Sequence, residues 1–248
     1  KLPKRINTQY PRLGTLSNGI NELNFPKGFG FPVAGDDALV VASRTLNHNL
    51  TNAFFKVKHK IEVKTEVNDS LKPLVPKGLV LMLPYDLENP YNSKKNDPNL
   101  CSPIDLKNHS GPGEDGVPLS AHWQLPEGKT RYEFDVTYQL YLQEDTTIHA
   151  MAAHLHPGAE LFMLYDTTLD EPVYVFDCEN YKDKVGLKHV PTYSSEEGIL
   201  LKADHEYKLV LETYNPSSDF RDMMAVLYLY LYDAEMDKHL KSQGFVSL

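Results

Sequence analysis

Residues 131–142 read RYEFDVTYQLYL, and the alternation inside them decides the expected architecture. Tyr132, Phe134, Val136, Tyr138, Leu140 and Leu142 fall on one side of an extended chain, with Arg131, Glu133, Asp135, Thr137 and Gln139 on the other. Successive side chains of a strand point to opposite faces, so the pattern predicts a strand with one buried and one solvated face. Residues 55–67, FKVKHKIEVKTEV, repeat it: Phe55, Val57, His59, Ile61, Val63 and Val67 oppose Lys56, Lys58, Lys60, Glu62, Lys64 and Glu66. Further strands are expected in ALVVASRTL (38–46), GLVLMLPY (78–85), ELFMLYD (160–166), PVYVFD (172–177), YKLVLETY (207–214) and MAVLYLYLY (224–232). No amphipathic helix of normal length is expected. Pro, Gly, Asn and Asp clusters separate the strands at the spacing of sandwiches and barrels. The expected fold class is therefore all-β, as two antiparallel jelly-roll β-sandwich domains. Residues 85–118, YDLENPYNSKKNDPNLCSPIDLKNHSGPGEDGVP, lose all periodicity and fill with turn formers. This places a first domain at 1–90, a linker at 91–118 and a second domain at 119–240.

A formal charge of −9 without a basic stripe argues against nucleic acid and anionic membrane surfaces as partners. The longest apolar run, MMAVLYLYLYD, is interleaved with tyrosines and falls short of the roughly 20 residues of a membrane helix, so no membrane span is expected. The first residues, KLPKR, carry neither an initiator Met nor a signal peptide, which leaves room for an upstream segment that was removed. Cys101 and Cys178 are the only cysteines. One disulfide and two buried thiols are both open.

Residues 148–166, IHAMAAHLHPGAELFMLYD, concentrate three histidines in one apolar stretch. With Leu155, Leu161, Met163 and Tyr165 toward the core, His154 and His156 share the opposite face with Ala152 and Glu160. An H-x-H pair sets two imidazoles side by side, which suits copper or zinc; two histidines on a solvated sheet face are the plain alternative. In DFRDMMAVLYLYLYD the apolar face is Ala225, Leu227, Leu229 and Leu231, and Met224 shares the other with Val226, Tyr228, Tyr230 and Tyr232. Met224 would then point to the same side of its sheet as the histidine pair does of its own. A thioether is a soft ligand that prefers Cu(I), although methionine also fills core gaps. His149 has core parity and would reach a metal only through a bulge. His122 and His48 are further candidates, placed in a cleft between domains. His59 is expected as a hydrogen-bonded core histidine; His189, His205 and His239 are expected in solvent.

These residues bring a family into view. HLH at 154–156, followed by YNPSSDFRDMMAVLYLYLY, resembles the copper-binding domain of the type II, ascorbate-dependent monooxygenases, the peptidylglycine α-hydroxylating and dopamine β-monooxygenases. The first half is similar too, in NFPKGFGFPVAGDDALVVASRTLNHN and KPLVPKGLVLMLPYDL. The resemblance spans about residues 18–236 and implies one copper on His154, His156 and Met224, ascorbate as reductant, and hydroxylation of a C–H bond with O2. A small-molecule or peptide substrate and an extracellular or periplasmic location are implied with it. Tyr228 and Tyr230, on the metal side, would line the substrate cleft. The family's adjacent His-His pair of the electron-transfer copper has no counterpart, and its strand histidine falls on Leu46, with His48 two positions on. A rival without turnover is therefore open: a double jelly roll that holds one copper or none. HLHPGAE also fits part of a cupin motif, which would make Glu160 a ligand.

Overall fold

The computed structural model describes residues 12–33, 37–43, 45–47, 49–50, 53, 56–66, 70–84, 110–112, 116–219 and 221–243. His48 and Cys101 lie outside them, and with Cys101 the question of a disulfide. The strands are β1 (Phe29–Gly30), β2 (Lys72–Val80), β3 (Leu83–Pro84), β4 (Ser110–Pro112), β5 (Pro118–Ser120), β6 (Trp123–Leu125), β7 (Gly128–Asp135), β8 (Thr146–Leu155), β9 (Ala159–Asp166), β10 (Glu171–Asp177), β11 (Glu179–Asn180), β12 (Leu187–His189), β13 (Tyr193–Leu201), β14 (Tyr207–Asn215), β15 (Arg221–Met223) and β16 (Ala225–Tyr232). The helices are α1 (Thr137–Leu140) and α2 (Ala234–Gln243).

The fold is all-β. A five-stranded sheet in the order β1-β2-β16-β8-β13 faces a four-stranded sheet in the order β10-β9-β14-β7. Among the described residues only the β1–β2 pair of these sheets is parallel. Between the sheets lie Leu79, Met151, Ala153, Leu155, Leu227 and Leu229 from the first and Phe162, Leu164, Phe176, Leu209 and Leu211 from the second, all buried. Each such side chain contributes roughly 1.5–3 kcal/mol on leaving water, so this layer is the main source of stability. β2, expected to close a first domain, pairs with β16. The five-stranded sheet thus takes strands from both sides of residues 91–118.

The outward face of β16 is apolar as well. Val226, Tyr228 and Tyr230 form a second cluster with Phe29, Leu74 and Ala150, and Leu23 and Phe25 pack over it. The segment 12–25 runs across this face. Tyr230 donates its hydroxyl to Leu13 O at 3.1 Å, Phe25 meets the Tyr230 ring edge-on at 4.9 Å between centroids, and Arg12 Nη1 donates to the Tyr228 hydroxyl.

Several expectations are corrected. Residues 56–66 form no strand; Val57, Ile61 and Val63 are about half exposed and His59, instead of being a core residue, is exposed with Nε2 3.2 Å from Thr45 Oγ1. The described part of 38–46 likewise carries no strand, and Leu39, Val40 and Val41 are exposed. Alternation makes a strand only where a neighbour supplies hydrogen bonds and a second surface covers the apolar face. Here the outer face of the five-stranded sheet is already covered by 12–25. The strand at 131–142 ends at Asp135, whose Oδ1 accepts from Thr137 N at 3.0 Å and turns the chain into α1. α2 was not expected; Asp233 caps it, accepting from Met236 N at 2.7 Å.

The parity beyond His156 also differs. Phe162 and Leu164 face the core, and Leu161, Met163 and Tyr165 lie on the outer face of the second sheet. The reason is the corner at Pro157–Gly158, where the chain leaves β8 in one sheet for β9 in the other and the alternation restarts. Gly158 has φ +101°, and a Cβ there would meet Leu125 Cδ2 at 3.0 Å and Tyr214 O at 3.2 Å.

Leu227→Ala is expected to cost roughly 2–5 kcal/mol in urea unfolding and Ile61→Ala no more than about 0.5 kcal/mol. Comparable losses for the two would restore 56–66 as a core strand.

Candidate metal centre

Three corner segments meet at one end of the sandwich. β6 pairs with β15, setting Trp123 opposite Met223, Gln124 opposite Asp222 and Leu125 opposite Arg221. This small ladder draws residues 120–125 against the chain entering β16. Ser120 locks the approach: its hydroxyl donates to His122 O at 2.7 Å and accepts from His122 N at 3.1 Å. Asn215, fully buried, donates to Leu125 O at 3.2 Å and Asp219 O at 2.9 Å, tying the end of β14 to the same corner. The third segment is the end of β8 and His156 beyond it.

The result is a cluster of His122, His156 and Asp222, all buried, with the partly buried His154 beside them. Asp222 lies between two of the histidines: its Oδ1 is 3.4 Å from His122 Nδ1 and its Oδ2 is 3.0 Å from His156 Nδ1, which also lies 3.2 Å from Asp222 O. Ring centroids are 5.8 Å apart for His122 and His156 and 5.4 Å for His154 and His156. Burial by itself would raise the Asp222 carboxyl, but the two histidine partners outweigh it and hold it down to about 2. His154 is the opposite case. Burial, reinforced by His156, His122 and Arg12, pushes its imidazole down to about 3, so it is neutral at ordinary pH. Its Nδ1 is buried and makes no hydrogen bond. An orphaned buried ring nitrogen costs about 1–3 kcal/mol, a cost that a ligand in contact with it would remove.

The other expected residues are placed as follows. Met224 sits between β15 and β16, one step beyond the last ladder pair, Ala225 opposite Leu155. Directly opposed residues in an antiparallel ladder share a face. The ladder thus places Val226 and His154 on one face and ends before Met224 and His156. Met224 is partly buried against the outward cluster. His149 does lie at an irregularity of β8, between the Tyr230–Ala150 and Leu231–Ile148 pairs. The bulge carries it elsewhere: its ring stacks on Phe29 at 3.9 Å, Nδ1 lies 2.9 Å from Ser195 O and Nε2 2.8 Å from Thr147 Oγ1. Both nitrogens are engaged away from the cluster. Glu160 is on the second sheet, 3.7 Å from Lys129 Nζ, and does not join the histidines as the cupin reading requires. Tyr228 and Tyr230 are buried beneath residues 12–25, so they line no open cleft. Cys178 donates its thiol to Phe176 O at 3.6 Å, and burial pushes it up to about 12, which keeps it inert.

Asp222 is the residue that the sequence reading missed. Its signal was faint: a carboxylate two positions before Met224, with nothing to show that β6 would bring His122 beside it. Among the described residues no group of three or more His, Cys, Asp or Glu side chains is placed so that it could hold a metal ion. A metal here therefore needs the sulfur of Met224 or a ligand from outside the chain. Comparison of the chain with family models, curated proteins and solved structures gives no match.

Because its pKa is depressed, Asp222 contributes stability that is full above the ordinary carboxylate value, about 3.9, and is lost as pH falls toward about 2. The metal-free protein is expected to lose on the order of 2 kcal/mol over that window. Asp222→Asn should lower stability at neutral pH by about 3 kcal/mol and remove this part of the acid profile. An unchanged profile in urea titrations would show that the carboxylate is not the anchor of the corner.

Proposed function

We propose that this chain binds a single copper ion through His154, His156 and Met224, as the resemblance to ascorbate-dependent monooxygenases implies. The observation that carries the reading is the orphaned, buried Nδ1 of His154, a neutral imidazole beside a second histidine. Metals take imidazole in its neutral form, so no proton must be displaced from His154. Asp222 suits the role of a supporting carboxylate: histidines that ligate metals commonly give their other ring N–H to a carboxylate or carbonyl, and His156 Nδ1 lies within reach of both on Asp222. The donor set of two imidazoles and a thioether favours Cu(I) over zinc. Arg12, whose charge already disfavours a proton on His154, also penalises a divalent ion more than a monovalent one.

When bound, copper supplies the redox chemistry by which O2 hydroxylates a C–H bond with ascorbate as reductant. The chain's own part is to hold the two imidazoles in fixed orientation and to keep water away by burial. A second reading, a copper holder without turnover, is favoured by one observation: Tyr230 is 1% exposed and tied to Leu13 O, so the face expected to receive substrate is covered.

Anaerobic loading with Cu(I), desalting and elemental analysis should return one copper per chain. Competition against a Cu(I) chelator should show affinity reduced by at least about tenfold in Met224→Ala and more in His154→Ala, with zinc binding little affected by the loss of sulfur. Equal retention of copper by Met224→Ala, or none by the parent chain, overturns the assignment. Oxygen uptake with ascorbate and a C–H substrate then separates enzyme from holder.

A further inference from the structure

We propose that the cleft beside the Pro157–Gly158 corner is a binding site for a small organic dianion, with a phosphate monoester as the first candidate. The cleft encloses about 280 Å³, at the lower end of ligand pockets, and is lined by Glu160, Tyr181, Lys182, Lys184, Tyr214 and Arg221 among others. It does not depend on the copper reading.

Its charge is the first argument. The chain as a whole carries −9, yet three cations from two separate segments converge here. Among the described residues no carboxylate pairs with Lys182, Lys184 or Arg221 within 4.0 Å, while neighbouring Glu179 is bound to Lys188 at 2.6 Å. The one acid of the lining, Glu160, faces Lys129 at 3.7 Å and is offset by it. Three cationic side chains without a carboxylate in contact thus line one cleft of an acidic protein, with Glu179 acting on Lys182 only from a distance. A dianion suits that field better than a monoanion. Arg221 supplies a planar fork for two oxygens, and the lysines supply point charges.

The second argument is preorganisation. The floor is rigid: Asn180 accepts from Gly158 N at 3.0 Å and donates to Ala159 O at 2.7 Å, fixing β11 to the corner. The loop carrying the lysines is pinned from outside by Asn49, whose side chain donates to Val185 O at 3.0 Å and accepts from Val185 N at 2.9 Å. Lys184 lies over the Tyr181 ring at 4.0 Å and Lys129 over Tyr214 at 6.0 Å, so aromatic rings hold the cations in place. Both tyrosines remain 37–42% exposed, offering edges to the organic part of a ligand.

The test uses the full chain and phenyl phosphate, with inorganic phosphate, succinate and benzoate as comparison probes, followed by backbone amide shifts and calorimetry. Saturable binding of phenyl phosphate is expected, with shifts at Gly158, Asn180 and Arg221 and a loss of affinity on raising salt. Lys184→Gln and Arg221→Gln should each weaken it by about tenfold. Lys184 is at the surface, so its variant should leave the melting temperature unchanged even if Arg221→Gln disturbs β15. Succinate competing equally would retain the site and make dicarboxylates its ligand. Benzoate binding as tightly as phenyl phosphate, no saturation at about 10 mM, or undiminished affinity in Lys184→Gln overturns the proposal.

Discussion

The architecture depends on one constraint: β16 is apolar on both faces, and both must be covered. Every residue from Ala225 to Tyr230 is buried. One face, Ala225, Leu227 and Leu229, is met by the four-stranded sheet; the other, Val226, Tyr228 and Tyr230, is met by residues 12–30. A strand buried on both sides normally sits inside a three-layer arrangement. Here the third layer is an irregular strap rather than helices, held by the Tyr230 hydroxyl on Leu13 O, by Arg12 on the Tyr228 hydroxyl and by aromatic contacts.

The buried environment of the histidine cluster follows from that cover. His154 stands opposite Val226 on the outward face, which without the strap would meet water. With it, the imidazole loses solvent and its proton. Beside it the Asp222 carboxylate, buried with His122 and His156, is held ionised by their ring nitrogens. One corner thus contains Asp222 within ion-pair distance of His122 and His156 and, beside them, buried polar atoms without a hydrogen bond, His154 Nδ1 and Asp222 Oδ2 among them. Buried polar groups are nearly always satisfied, so such exceptions mark where a ligand is to be sought.

Two clusters of different character share the Pro157–Gly158 corner. On one side are the imidazoles of His122, His154 and His156 with the Asp222 carboxylate; on the other is a cleft lined by Lys182, Lys184 and Arg221. Arg221 and Asp222, adjacent on β15, point their charges into the two different surroundings. A short two-stranded ladder with β6 is enough to set both, because each residue of a strand faces the opposite way from the next.

The all-β class, the strands β7, β9, β10, β14 and β16, and the two-faced pattern of β16 were legible in the residues themselves, because side-chain alternation is a local consequence of extended backbone. The fate of residues 56–66 was not legible: their alternation is as regular as that of β7, but a strand forms only if a partner edge and an uncovered surface exist elsewhere. The inversion of parity after His156 depended on a corner between sheets, and the meeting of His122 with Asp222 on a ladder across 100 positions of chain. Local pattern states which face a side chain takes, whereas only the packed arrangement of distant segments states what that face meets.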